Sequence, residues 1–250
     1  MGRKHHGAEA LRWSLSRGIP VVGVLTDHHL PGSPTAAVAR EHGLPLLTLE
    51  EATAAIEAGT LRFELAVSYV YWRILRAPLL GAARLGVINF HPAPLPELRG
   101  TGGYNVAILD GHREYGVTAH YVDEGIDTGP IIECRRFPID LEHETAVSLE
   151  ARSQAMMGEL YRDTIERVLE HGRLPTTPNE GGRYVSRREM EELKRIQPGD
   201  DVSRKIRAFW FPPYGGAWIE HEGRRYTLVD DALLRQLSPE PPLFPRSDEG

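Results

Sequence analysis

Short β-branched apolar runs alternate with helical segments through the first half of this chain, and that alternation constrains the fold more than any other feature. Pro20-Val-Val-Gly-Val-Leu-Thr26 has the length and composition of a strand. Residues 34–41 read as a helix, with Pro34 near its start and Gly43 past its end. A short strand over 44–47 and a helix over 49–57, stopped by Gly59, follow. Residues 63–70 and 85–90 read as further strands, 104–109 as a helix, and 117–122 and 129–135 as two more strands. Apolar strands alternating with helices predict an α/β domain with a mainly parallel sheet.

The front of the pattern is short of one element. An open parallel sheet normally starts with a central strand that feeds a tight loop and a helix. Here the loop-like Gly2-Arg-Lys-His-His-Gly7 and a helix carrying Leu11 and Leu15 are present, but no strand precedes them. Two readings stay open here: the fold tolerates the loss of that strand, or the native chain starts upstream of Met1.

At the other end, the longest helical pattern spans 144–169, and Met157, Leu160, Tyr161, Thr164, Ile165, Val168 and Leu169 form one buried face. Residues 174–183, rich in Pro, Thr, Asn and Gly, read as a linker. Beyond it we expect helices near 187–196 and 202–209, an aromatic turn over 209–218, and a hairpin over 219–229 turning at Glu222-Gly223. The last dozen residues carry four prolines and are expected to be loose. The expected organisation is an α/β domain over 1–173 and a small α+β appendage over 174–250.

Charge and cysteine usage narrow the function classes. Lys and Arg total 29 against 35 Asp and Glu, a net of −6, which excludes holding nucleic acid by bulk positive charge. The single cysteine, Cys134, excludes an internal disulfide framework, fits a reducing compartment, and reads as a small buried hydrophobe. No apolar run approaches the roughly 18 residues of a membrane helix, and no leader pattern opens the chain, so it reads as cytoplasmic. The adjacent His5 and His6 read as solvated rather than as metal ligands.

Two stretches concentrate the polar chemistry. In Asn89-Phe-His-Pro-Ala-Pro-Leu-Pro-Glu-Leu-Arg-Gly-Thr-Gly-Gly103, Asn89 and His91 end an apolar strand two residues apart, so their side chains leave one face. Pro92 holds His91 extended, and the glycines that follow allow tight turns. Ligands of open α/β sheets bind at the carboxyl ends of such strands. On the residues alone, Asn89 could equally cap the loop and His91 be a satisfied loop histidine. In Gly116-Val-Thr-Ala-His-Tyr-Val-Asp-Glu-Gly-Ile-Asp-Thr-Gly-Pro-Ile-Ile132, a strand enters an acidic loop holding Asp123, Glu124 and Asp127, and a second strand leaves it. An anionic Asp127 beside His91 would favour the imidazolium. His112, His120, His143 and His171 show no ligand spacing, and packing on its strand explains His120 as well as a place near the site does.

Together, in order and separation, these stretches resemble the folate-dependent formyltransferases, a family that includes glycinamide ribonucleotide, methionyl-tRNA and sugar N-formyltransferases. The shared pattern is Asn-x-His-Pro, a Leu-Pro and Arg-Gly loop, Gly-x-Thr-x-His and Asp-x-Gly-x-Ile-Ile. The resemblance covers roughly residues 8–137. It implies a Rossmann-like fold, 10-formyltetrahydrofolate as formyl donor, no metal, and Asn89, His91 and Asp127 as the catalytic set. It also implies that the segment Tyr71, Trp72, Arg73, Ile74 and Leu75 lines the pterin by its backbone, facing a wall formed by Asp123, Glu124 and Ile126. Read as residues alone, Trp72 and Leu75 are ordinary packing side chains.

The acceptor is read from the remainder of the chain. Residues 171–250 hold 13 Lys and Arg against 13 Asp and Glu, a neutral balance that does not suit gripping tRNA phosphates. Ile206-Arg-Ala-Phe-Trp-Phe-Pro-Pro-Tyr-Gly-Gly-Ala217 and Arg183-Tyr-Val-Ser-Arg-Arg188 resemble segments that follow the catalytic domain of nucleotide-sugar formyltransferases. The expectation is a small amine acceptor, a nucleotide-linked amino sugar first, with an amino acid, another secondary-metabolite amine or methionyl-tRNA as alternatives. A catalytically idle folate-binding module on the same fold is the alternative of another class. A formylfolate hydrolase is disfavoured, since such enzymes carry a regulatory domain ahead of this core. No nucleic-acid or membrane partner is expected, and a homodimer is an allowed assembly.

Overall fold

The computed structural model describes residues 1–237 apart from Arg3, His28 and Pro31. The expectation for the last dozen residues lies outside the described residues. Helices α1 (Lys4–Ser16), α2 (Pro34–Glu41) and α3 (Leu49–Glu57) lead to β1 (Ala66–Tyr69), the short α4 (Leu79–Ala82), β2 (Val87–His91) and β3 (Leu98–Gly100). Then come α5 (Gly103–Leu109), β4 (Glu114–Tyr121), β5 (Ile131–Pro138) and the 26-residue α6 (Ala146–His171). The rest comprises β6 (Arg183–Val185), α7 (Arg187–Leu193), α8 (Val202–Phe209), β7 (Trp218–His221), β8 (Arg224–Thr227) and α9 (Asp231–Leu237).

Caps place the helix starts. Ser33 Oγ accepts the Ala36 N–H ahead of α2, where Pro34 occupies a first-turn position with no amide to satisfy. Thr48 and Glu51 form a capping box at α3, and Thr145 and Ser148 do the same at α6.

The fold is a mixed α/β, Rossmann-like arrangement whose sheet is mainly parallel on its first side. β1 and β2 pair in parallel, from Ala66 opposite Val87 to Tyr69 opposite Phe90. Beyond β1, parallel bridges join Gly2 to Tyr69 and Val24 to Leu46, and the Gly2 N–H donates to the Leu25 carbonyl at 3.1 Å. Beyond β2, the antiparallel β4 and β5 close the sheet. Met1 and Gly2 thus lie alongside β1, with the Tyr69 N–H donating to the Met1 carbonyl at 2.9 Å. One expectation is corrected on this side of the sheet: the strands expected over 20–26 and 44–47 are reduced to the single Val24–Leu46 bridge. A strand persists by pairing along its edge, and residues 20–26 pair with their neighbours only around Val24 and Leu25. A cavity of about 540 Å³ adjoins these segments, lined among others by Ile19, Val22, Leu65, Val67, Tyr161 and Leu169. The terminal amine of Met1 donates to the Val67 carbonyl at 2.6 Å, and burial lowers its pKa to about 6.

Among the described residues the core forms three apolar clusters, two of which pack against α6. In one, Phe90 is fully buried between Tyr69 and Tyr161, at ring-centroid distances of 5.9 and 5.0 Å, with Met157, Leu160 and Ile165 of α6 around them. The Tyr161 hydroxyl is satisfied by Ser14 Oγ of α1 at 2.6 Å. In the other, Val106, Ile108 and Tyr115 meet Leu149 of α6 and Ile206, Phe209 and Trp210 from the later part of the chain. One further pairing was not visible as a periodic pattern: β6 adds in parallel to β3, within the stretch beyond the linker. Cys134 is only half-buried, because β5 is the outer strand and its faces are incompletely covered. Among the described residues no helix is long and apolar enough to cross a membrane.

Truncating the ring at the centre of the first cluster is expected to cost about 3–5 kcal/mol. Urea unfolding of Phe90→Ala checks this, and a loss below about 1 kcal/mol would show that the cluster does not support the sheet.

Candidate active site

Asn89 and His91 leave the same face of β2, and the antiparallel register sets His120 opposite Asn89 and Thr118 opposite His91. Thr118 fixes the loop that leaves the strand. Its hydroxyl donates to the Ala93 carbonyl at 2.9 Å and accepts the Leu95 N–H at 3.0 Å. The Tyr115 hydroxyl donates to the Pro92 carbonyl at 2.6 Å. Three prolines and these bonds carry the chain around to Leu98, whose carbonyl accepts the His91 Nε2–H at 3.0 Å.

Asp127 arrives from the loop between β4 and β5. Its Oδ2 accepts the Gly100 N–H at 3.0 Å, and its Oδ1 lies 3.6 Å from His91 Nδ1 and 3.8 Å from His120 Nε2. Asp127 has φ of 53°, the left-handed region that a non-glycine residue rarely occupies. Gly100 has φ of 85°, and a Cβ there would sit 2.4 Å from the Val185 carbonyl of β6. Only glycine satisfies both that conformation and that approach. The three predicted catalytic residues thus lie together, with His91 and Asp127 separated by slightly more than a direct hydrogen bond.

Hydrogen bonding assigns the protons. The Tyr121 carbonyl can only accept, so His120 Nδ1 carries the hydrogen of that 2.8 Å contact. Burial lowers the His120 pKa to about 4, overriding the attraction of Asp127, so the ring is neutral near pH 7. Its Nε2 is then a bare acceptor and takes one amide N–H of Asn89 at 3.0 Å. This orients the Asn89 amide, whose other N–H has no further partner among the described hydrogen bonds. In His91 the proton facing Leu98 sits on Nε2, so Nδ1 is the nitrogen that meets Asp127. The arrangement offers an oriented amide donor next to an imidazole–carboxylate pair, groups able to stabilise an oxyanion and move a proton.

The expected donor-pocket residues divide. Trp72, Ile74 and Ile126 are exposed apolar side chains, 37%, 49% and 40% accessible. Leu75 is buried and packs with Leu79, Ala83 and Val87, so its side chain serves the core. Tyr71 stacks obliquely on Trp72, and Arg73 is tied to Glu50 of α3. Asp123 Oδ1 accepts the Gly125 N–H and the Thr128 hydroxyl, which shapes the loop, while Glu124 is exposed. Among the described residues no three His, Cys, Asp or Glu side chains gather as a metal site.

Sequence reasoning left two neighbours of this site unassigned. His120 could have been found from its two-residue spacing after Thr118, opposite a strand ending Asn-x-His. Asn179, in the linker, donates to the carbonyls of Asp127 and Gly129 at 3.0 and 2.8 Å. No local pattern announces it.

Residues 22–165 match the family described as formyl transferase. The methionyl-tRNA formyltransferase of Symbiobacterium thermophilum is 33% identical over 233 residues, 87% of this chain and 70% of that protein. The methionyl-tRNA formyltransferase of Rhizorhabdus wittichii is 31% identical over 222 residues, 84% of this chain and 68% of that protein. Among solved structures, the N-formyltransferase of Helicobacter canadensis in complex with folinic acid and dTDP-3-aminofucose aligns with a TM-score of 0.72 at 23% identity, over 89% of this chain and 82% of that one. Phosphoribosylglycinamide formyltransferase of Bacillus halodurans aligns at 0.57 and 30% identity, over 66% and 90%. With more than half of its length matched by the family and relatives above 30% identity, the chain belongs to the formyl transferase family.

Proposed function

We propose that this chain transfers the formyl group of 10-formyltetrahydrofolate to the primary amine of a small acceptor, a nucleotide-linked amino sugar, with Asn89, His91 and Asp127 as the catalytic set. The observation that carries the chemistry is the oriented Asn89 amide beside the His91–Asp127 pair. The attacking amine forms a bond to the formyl carbon, and charge collects on the formyl oxygen. The second N–H of Asn89 meets that oxygen, and a preorganised donor of this kind is worth roughly 3 kcal/mol of barrier. The Nε2–H of His91 is engaged by Leu98, which leaves Nδ1, facing Asp127, as the nitrogen that exchanges a proton. The cycle closes when the bond from the formyl carbon to N10 of the folate breaks, the amine gives up a proton and N10 takes one, with Asp127 and His91 as the relay. Trp72, Ile74 and Ile126 provide apolar surface for the flat pterin, and the backbone of 71–75 and 123–126 provides its edge contacts.

For the acceptor, the neutral balance of residues 171–250 supports a small molecule over tRNA. The Helicobacter canadensis enzyme, whose structure holds a dTDP-amino sugar, supports the same reading through its fold. The methionyl-tRNA formyltransferases related at 31–33% identity favour methionyl-tRNA as the second reading.

Amine candidates incubated with 10-formyltetrahydrofolate and read by product mass decide between them. Formylation of dTDP-amino sugars is expected, and exclusive formylation of methionyl-tRNA would overturn the acceptor. His91→Ala and Asp127→Ala should each lower turnover at least tenfold with circular dichroism unchanged, and undiminished rates in either would remove the catalytic assignment. His120 generates a stability prediction of definite sign. Its folded pKa, about 4, lies below the unfolded value of about 6.5, so the native state excludes the proton that the unfolded chain binds. Stability attributable to this ring is complete above pH 6.5 and falls by about 3 kcal/mol as pH drops through 4. Denaturant titrations of wild type and His120→Asn across that range should differ in slope, and identical slopes would place the titration elsewhere.

A further inference from the structure

Asp127 holds its carboxylate from a left-handed backbone conformation, which Asp tolerates better than most residues but which contacts outside the residue must still select. Two contacts do so. From one side, the Gly100 N–H of β3 donates to Oδ2 at 3.0 Å, and β3 is itself paired with β6. From the other, the side-chain amide of Asn179 reaches the loop's backbone and donates to the carbonyls of Asp127 and Gly129. Both acceptors are carbonyl oxygens, so the orientation of this amide is fixed: its nitrogen faces the loop. Its Oδ1 is buried and without a hydrogen-bond partner among the described residues, so the amide keeps this orientation at a cost. The Gly129 side of the bracket is equally tight, since a Cβ at that residue would lie 1.9 Å from the Tyr121 carbonyl. Between them the two carbonyls span the residues that aim Asp127 at His91.

We infer that Asn179 is a positioning residue for formyl transfer: it does not touch the reacting atoms but clamps the loop so that Asp127 Oδ1 faces His91 Nδ1. This rests on the assignment of Asp127 made above. It also gives residues beyond α6 a part in the chemistry, because Asn179 holds the Asp127 backbone and β6 pairs with the strand whose Gly100 holds the carboxylate. The side chain joins two points of one loop through directional hydrogen bonds, which packing alone does not require.

The test compares wild type, Asn179→Ala, Asn179→Asp, which keeps the shape but removes both donors, and Asn179→Gln, which keeps the donors on a longer arm. The exposed neighbour Thr176→Ala is the control. Amide hydrogen exchange at Gly100 and over residues 124–129 reads the clamp without any assay of activity. Exchange there is expected to quicken at least tenfold in the Ala and Asp variants, less in Gln, and not at all in the control. With formyl transfer to the amine found active, kcat should fall tenfold to a hundredfold in Ala and Asp, with partial recovery in Gln and KM for 10-formyltetrahydrofolate changed less than threefold. Unchanged exchange at Gly100 overturns the proposal, as does quickened exchange with undiminished kcat. If the Ala variant fails to fold, the isosteric Asp and the Gln variants give the same reading. An inactive wild type would count against the proposed function and not against the clamp, which the exchange data judge alone.

Discussion

Because β2 and β4 run antiparallel with Asn89 facing His120 and His91 facing Thr118, the four polar groups of the site share one face of the sheet. A slip of β4 by one residue in that register would turn His120 and Thr118 to the opposite face. The pairing therefore does two jobs. It buries His120 deeply enough to keep it neutral, and it places the bare nitrogen of that ring where it must accept from Asn89. An imidazolium in the same place could not accept that bond, and the Asn89 amide would be free to turn. The apolar residues between, Phe90 and Ala119, hold the register by packing on the other face.

The remaining half of the site is held across the chain rather than along it. His91 donates to Leu98, Gly100 donates to Asp127, and β3, which contains both Leu98 and Gly100, is steadied by β6. Each bond uses backbone on at least one side. Side-chain identity is therefore critical at few positions, and glycine at 100 is one of them, because the chain passes Val185 too closely for a Cβ.

How much of this was legible follows from where each signal resides. The helices over 34–41 and 49–57 were read residue for residue, since their starts are set by local caps at Ser33 and Thr48. Asn89, His91 and Asp127 were legible from a strand end and an acidic loop joined by a family pattern. The strands over 20–26 and 44–47 were not, because a strand depends on pairing along its edge, and theirs is reduced to a few bonds around Val24, Leu25 and Leu46. Leu75, whose side chain read on its own as a packing residue, packs inward with Val87. Asn179 was illegible in principle: it acts on a loop 50 residues earlier, and nothing around it in sequence reports that contact.

The parallel pairing of β3 with β6 also bears on the order in which the molecule can assemble. Leu98 meets Arg183 and Gly100 meets Val185, so this ladder closes a loop of more than eighty residues. Contacts between such distant segments form only after their chain entropy has been overcome, and they come late in folding. During synthesis the segment from Asn89 to Asp127 emerges well before residue 185. The sheet and its buried aromatic cluster can form first, with the Asp127 loop still loose. The His91–Asp127 pair gains its final geometry only when the later strand docks, so this cluster is completed as one of the last events in the maturation of the chain.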